Sequence, residues 1–402
     1  MTRNDFDKKL KELFEEHQRH ATKKNKALKS DNGIYHRYKN PILTRDHAPV
    51  FWRYDLDFKS NPNLLQRLGV NTTFNAGAIK LNGKYYIIAR VEGFDVKSFF
   101  AVAESLDGIN NFKFWDHPIA MPVTDNPEMN VYDIRLVKHE DGWIYGIFCA
   151  ERKDLSHPDD SSAAIASCGI ARTKDLIKWY RLPDLKSTAE QQRNCVLHPE
   201  FVNKKYAFYT RPQKGFIDTG DSGISWGLVD DIENPEIKEE EIVIDPRKYH
   251  SYKEVKNGQG PAPLKTQHGW LHLAHGVRRT AAGLRYVLYL FMTGLDDPTK
   301  VIHRPGGHFL EPLGNERIGD VSNVAFCNGW ILKDNEDVLI YYASSDTRMH
   351  VAVSTLPKLI DYVMNNPEDA GSTQLCAAQR DEMITKNLQI IERDYPELGT
   401  KK

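Results

Sequence analysis

Between its two ends the chain repeats one motif five times, and that repetition limits the fold more than any other feature. Each unit has a small or polar lead-in, an apolar strand, a turn, and an aromatic-rich strand closing on a charged or polar residue. The first runs from Phe74-Asn-Ala-Gly-Ala-Ile79 to Lys84–Glu92, the second from Val131-Tyr-Asp-Ile-Arg-Leu136 to Trp143–Glu151. The third runs from Cys195-Val-Leu-His-Pro199 to Tyr206–Arg211, and the fourth from Gly260-Pro-Ala-Pro263 to Trp270–His275. The fifth runs from Val321–Phe326 to Val338–Ser344. A spacing of roughly 55 to 65 residues gives each unit room for a four-stranded sheet and its loops. Radial repetition leaves few exposed sheet edges, so the expected fold is all-β, a five-bladed β-propeller. An array of β-sandwiches is the alternative.

Helices are expected at both ends. Phe6, Leu10, Leu13, Phe14 and His17 fall at helical spacing, predicting a helix from residue 4 to about 28 capped by Asn4 or Asp5. Leu356, Leu359, Ile360, Val363 and Met364 make a second stripe, and Thr373 to Arg393 a further helix. The expected divisions are a helical extension over 1–30, the propeller over 31–355 and a helical segment over 356–402. A propeller has little use for these apolar stripes, so they are expected to mediate self-association.

With 54 basic and 55 acidic residues the chain is nearly neutral, which gives no general reason to bind nucleic acid or an anionic membrane. The five cysteines lie far apart and form no C-x-x-C pair, as expected for buried free thiols in a reducing compartment. The N-terminus is charged where a secretory signal would be apolar, and no apolar run approaches the roughly 20 residues that cross a bilayer. The expectation is a soluble, cytoplasmic protein.

In a propeller the first strand of every blade lines the central channel, so chemistry should gather at recurring positions of the repeat. Those positions hold Arg90, Glu92, Asp133, Arg135, Arg152, Arg172, Arg211, Lys214, His275, Asp320 and Asp346. Salt bridging between blades is their plain alternative role. Splitting a glycosidic bond needs an acid for the leaving oxygen and a nucleophile for the anomeric carbon, and an inverting hydrolase adds a carboxylate base to activate water. A phosphorylase uses phosphate instead, which needs cations rather than a base, and arginine forks suit its oxygens. Spacing alone does not choose among the candidates.

The order of Asn75-Ala-Gly, Arg90-Val-Glu-Gly93, Tyr132-Asp-Ile-Arg135, Arg211-Pro-Gln-Lys214, His272-Leu-Ala-His-Gly-Val277 and Gly319-Asp-Val-Ser-Asn323 resembles glycoside hydrolase family 130, the inverting β-mannoside phosphorylases. The resemblance covers about Tyr38 to Leu356. The long N-terminal helix and Phe216-Ile-Asp-Thr-Gly220 resemble the branch acting on mannosyl-glucose. The resemblance implies Asp133 as general acid, its proton passing through the mannose 3-hydroxyl, and Arg152, Arg172 and Lys214 as phosphate-binding. It implies Asn75, Arg90, His275 and Asp320 around the sugar. It also implies a homo-oligomer, such as a hexamer, and no cofactor, inorganic phosphate being a substrate beside the disaccharide. Tyr132-Asp-Ile departs from the commoner Glu-Asp-Pro form of the acid motif and leaves the neighbouring sugar subsite open. The acceptor could be glucose, mannose or N-acetylglucosamine. An inverting hydrolase using Asp133 with Glu92 or Asp320, and a noncatalytic sugar-binding propeller, are the rivals.

Two further signals are set aside. His268, His272 and His275 mimic a metal motif, but in a strand four residues span about 13 Å and His275 faces away from the others. Gly258-Gln-Gly260 and Gly306-Gly307 lack the Lys-Ser/Thr of a phosphate-binding loop and are expected to be turns. Trp52, Trp115, Tyr132 and Tyr209 could stack on sugar rings, although most propeller aromatics pack between blades.

Overall fold

A computed structural model describes residues 1–30, 32–214 and 223–398. Five antiparallel sheets follow one another around an axis, each with its innermost strand toward the centre. Blade one is Val70–Leu81, Lys84–Gly93, Ser98–Ser105 and Lys113–Phe114, and blade two is Asn130–Lys138, Ile144–Lys153, Ala164–Thr173 and Trp179–Leu185. Blade three is Val196–Leu197, Tyr206–Thr210, Ile224–Val229 and Ile242–Asp245. Blade four comprises Lys256–Gln259, Trp270–Thr280, Gly283–Thr293 and Val301–His303, with Leu264–Lys265 pairing on Trp270–Thr280. Blade five is Ala325–Leu332, Asp337–Ser344 and Arg348–Thr355, and its outer strand is His36–Arg37 from the other end of the chain.

Apolar residues run nearly unbroken along the middle strands because both faces of each blade meet a neighbour. In Ile144–Lys153, Tyr145 and Ile147 pack toward blade three while Ile144, Phe148 and Ala150 pack toward blade one. Between blades three and four the filling is partly ionic. Fully buried Asp245 accepts from Lys253 Nζ at 2.5 Å, Asn257 Nδ2 at 3.0 Å and Tyr289 Oη at 2.5 Å, and forms an ion pair with Arg304 at 2.8 Å. The ring is latched by Arg37, whose guanidinium reaches Glu316, the Glu311 carbonyl and Tyr342.

Several sequence expectations shift. The N-terminal helix is Arg3–Ala21, capped by Thr2 in a reciprocal box with Asp5. It stops short of residue 28 because the following chain pairs with the closing strand: Leu28 N donates to Arg37 O, and the Asn25 side chain bonds Asn40. Phe6 anchors the helix edge-on against Phe58. At the other end Leu356–Asn365 buries Leu359, Tyr362 and Val363 on blade five, whereas Thr373–Asp394 buries nothing and exposes Leu375, Met383, Ile384 and Leu388. Among the described residues no helix is long and apolar enough to cross a membrane. Gly258 does not form a turn but lies in the innermost strand of blade four, and blade five begins at Ala325 rather than Val321.

Candidate active site

The innermost strands depart from regular pleating at one level of the channel. Asn75 has φ of 44° within a register shift between Phe74 and Gly77. Asp133 has φ of 60° within the shift between Tyr132 and Arg135. Asn194, just before the first strand of blade three, has φ of 52°, and Asn323, before that of blade five, has 66°. Left-handed backbone is tolerated best by Asn and Asp after glycine, and a bulge re-aims the side chain it carries. Four blades therefore turn an Asx residue at this level.

Asp133 stands among them. Its Oδ1 accepts from Asn75 Nδ2 at 2.9 Å and lies 3.7 Å from Arg90, and its carboxylate is 13% exposed. Arg90 lies over the Phe74 and Tyr132 rings, and its other bonds go to Glu92 at 2.7 Å and Ser98 Oγ at 2.8 Å. Arg135 is fully buried and fixes the bulge from beneath, donating to the Asp133 carbonyl, the Gly260 carbonyl and Asn194 Oδ1. Beside Asp133, Asp346 at φ of 49° has its carboxyl pushed up to about 7, by burial first and then by Asp133, with Arg90 opposing. Asp320 is exposed nearby, its backbone N bonded to Thr347, and adds to the same shift.

Close to the carboxylates lies a group of cations. Arg211 is 5% exposed, and burial, then Arg193 and Arg135, bring its guanidinium down to about 10. Lys256 is brought down to about 8 by burial, then by Arg211 and Arg193. His275 is buried with neither ring nitrogen hydrogen-bonded, and burial followed by Arg211, Arg135 and Lys256 keeps it neutral. Gly258 makes this crowding possible, since a Cβ there would meet the His275 ring at 2.6 Å and Asn194 Nδ2 at 3.0 Å. Such mutual depression marks positive groups packed at a cost, which an anion would relieve.

The structure thus gathers Asp133, Asn75, Arg90, His275 and Asp320, and it sets Arg152 and Arg172 apart from them. Arg152 sits at the mouth end of blade two but faces away from the channel, bonded to Glu128 at 3.2 Å and Asp184 at 2.7 Å, two acids shared with Arg181. Arg172 pairs in register with Tyr145, stacks on Trp143 and binds Glu233 at 2.6 Å. That places it roughly 10 Å along the strands and two strand spacings outward from Asp133. Lys214 is exposed beyond the Pro212–Gln213 strand. Phe216–Gly220 lies outside the described residues. Arg193, Asn194, Lys256 and Tyr286 went unread in the sequence, although Arg193-Asn194 leads into the third repeat as Asn75 leads into the first. His272 bonds Gln259 and Thr293, facing away from His275. Tyr132 lies in the site, donating to Glu151, whereas Tyr209 is buried and Trp52 and Trp115 pack against Phe99, Phe114 and Tyr86.

A carboxylic acid held close to a group of buried cations is the equipment of an enzyme that cleaves a neutral glycoside with an anionic nucleophile. The comparisons agree with that class. Residues 38–365 match the family 130 glycoside hydrolase profile, described as β-1,4-mannooligosaccharide phosphorylase, and the chain belongs to that family. It is 58% identical to 4-O-β-D-mannosyl-D-glucose phosphorylase of Bacteroides fragilis, over 96% of this chain and 99% of the relative. It is 28% identical to β-1,4-mannooligosaccharide phosphorylase of Ruminococcus albus, over 80% of this chain and 93% of that one. Among solved structures, β-1,2-mannobiose phosphorylase from Listeria innocua superposes with a TM-score of 0.66 at 21% identity, covering 82% of this chain and 99% of that one, and shares the fold.

Proposed function

We propose that the protein catalyses the reversible phosphorolysis of 4-O-β-D-mannosyl-D-glucose to α-D-mannose 1-phosphate and D-glucose, with inversion. The observation that carries this reading is Asp133, held by Asn75, close to a group of buried cations, with Tyr286 lying within reach of both Asp133 and Arg193 and Arg211. The identity to the Bacteroides fragilis enzyme supports the choice of acceptor. A phosphate oxygen attacks C1 of the mannose as the C1–O bond to glucose breaks, and Asp133 supplies the proton for the departing O4, relayed by the mannose 3-hydroxyl. A single displacement inverts the anomer, so the β-linkage yields an α-phosphate. Phosphate needs no base. What it needs is fixed positive charge, and arginine with a neutral imidazole N–H serves its oxygens well in a site shielded from water.

In this scheme Asn75 and Arg90 hold Asp133 in line, and Asp320 and Asp346 address the mannose hydroxyls. Arg135 keeps the bulge and Asn194 in place. Hydrolysis would require a second carboxylate to take a proton from water; Glu92 is engaged by Arg90 and Ser98, and this scheme gives Asp320 and Asp346 to the sugar hydroxyls. The step calls for no cofactor beyond phosphate itself, and we assign the protein to the cytoplasm. The exposed apolar residues of Thr373–Asp394 support self-association through the terminal helices. Removing residues 1–30 or 373–402 should lower the mass in light scattering, and an unchanged mass in both would exclude that role.

The deciding assay is product analysis from 4-O-β-D-mannosyl-D-glucose with and without phosphate. Mannose 1-phosphate formed only with phosphate is the expected result. Free mannose in both buffers would make the enzyme a hydrolase, and no cleavage in either would leave a binding protein or another acceptor.

A further inference from the structure

Two cations of the channel ride on a small ribbon that belongs to no blade. Gln191–Gln192 pairs antiparallel with Pro212–Gln213, and the next residue inward on one arm is Arg193, on the other Arg211. A two-residue ribbon has no stability of its own, so its position must come from what holds it. On one side Gln191 Oε1 accepts from Ala166 N of blade two at 3.0 Å. On the other side stands Glu241, just before the last strand of blade three. Both its oxygens accept from Gln192 Nε2 at 2.9 Å, and Thr210 Oγ1 donates to it as well. Gln192 adjoins Arg193 in the chain and Thr210 adjoins Arg211, so one carboxylate grips both arms immediately behind the two guanidinium groups.

We propose that Glu241 is a positioning residue for phosphate: it sets the distance between Arg193 and Arg211 by tying Gln192 to Thr210. The inference rests on the phosphate-site reading above. Burial pushes the Glu241 carboxyl up while its bonds to Thr210, Gln192 and Ser187 pull the other way. Through the first two of these bonds it reaches the residues next to both arginines. An arginine fork recognises phosphate only when its N–H groups meet the oxygens in plane, so a slack ribbon would weaken phosphate use while sparing the sugar subsite around Asn75 and Arg90.

The test replaces the carboxylate by an amide. In Glu241→Gln one oxygen is left to accept from Gln192 and Thr210, and the new N–H is met only if the Thr210 hydroxyl turns round to accept, so the two arms are held together more weakly. Phosphate KM, and α-mannose 1-phosphate KM in the reverse direction, should rise about tenfold, while disaccharide KM and kcat stay within about threefold. The exchange Gln192→Glu/Glu241→Gln restores one donor facing one acceptor and should bring phosphate KM back to within about threefold of the parent. Thr210→Val, which loses one bond and keeps the shape, gives the same reading if Glu241→Gln does not fold. Arg211→Ala is the reference. If it raises phosphate KM while Glu241→Gln or Thr210→Val does not, the role of Glu241 is refuted and the phosphate site stands. If Arg211→Ala leaves phosphate KM unchanged, the phosphate site is refuted and this proposal with it. Equal changes in all constants that the exchange variant fails to rescue would reduce Glu241 to a structural residue.

Discussion

Lys256 makes the phosphate site testable by pH alone. Its ammonium sits over the Tyr286 ring, and burial together with Arg211 and Arg193 brings it down to about 8. If Lys256 binds phosphate as a cation, phosphate KM should climb as the side chain loses its proton. At pH 7 about nine-tenths of the lysine is charged and at pH 9 about one-tenth, so binding limited to the charged form weakens about tenfold over that span. A hydrogen bond to a charged group contributes about 1.5–3 kcal/mol, so the rise should level off at roughly 10- to 150-fold once the lysine is neutral. Phosphate itself is already a dianion through most of this range, with its second pKa near 6 to 7. The assay is initial rate against phosphate concentration at saturating disaccharide, in half-unit steps from pH 7 to 9.5. Lys256→Arg keeps its charge throughout and should flatten the profile. A wild-type phosphate KM constant from pH 7 to 9, or an equal climb in Lys256→Arg, would refute the assignment.

Other consequences are simpler to check. Asp133→Asn keeps the bond from Asn75 but has no proton to give, so kcat should fall by about two to four orders of magnitude. Arg172→Ala should leave phosphate KM within about twofold, because its partners are Glu233 and Trp143. Asp245→Ala strands Lys253 and Arg304 between blades three and four, and urea denaturation should show a loss of about 3–5 kcal/mol. His47, His198 and His350 are each held near about 4, chiefly by burial, below the ordinary 6.5. Their neutral forms favour the folded state, so stability is intact above about pH 6.5 and is lost as pH falls toward 4, by about 3 kcal/mol for each histidine. Denaturant midpoints at pH 7, 5.5 and 4.5 would measure that slope, and a midpoint unchanged at pH 4.5 would refute it.

The repeat pattern was legible because each middle strand is buried on both faces and so reads as a short, nearly unbroken run of apolar and aromatic residues. Asp133 and Arg90 were among the candidates for the same reason, but spacing did not choose them, and their roles, with that of Asn75, came from the resemblance. Arg152 and Arg172 stand away from the other site residues, because proximity to a strand end says nothing about side-chain parity. One step along Ile144–Lys153 separates Glu151, which meets Tyr132, from Arg152, which faces two acids on the far side. For Arg172 the register with Tyr145 puts it toward the other end of the blade. The unread cations lie in short elements with no periodicity, and what unites Arg193, Arg211 and Lys256 is convergence of separate segments. The Asx residue on the innermost segment of each blade was the available cue, present at Asn194 as at Asn75.

Closure of the ring by His36–Arg37 against Val353 and Ala352 joins residues more than 300 positions apart. All five blades stand around the channel, and blades one to four contribute the acid, its partners and the cations. A ribosome delivers the first blade long before the strand that must seal the fifth. Until Arg348–Thr355 has emerged, the early strand waits without a partner and the circle stays open, its cations and acid free to drift apart. The active site is therefore among the last things the chain makes, and a truncated product lacking the final strand should carry nearly every functional residue and yet be inert.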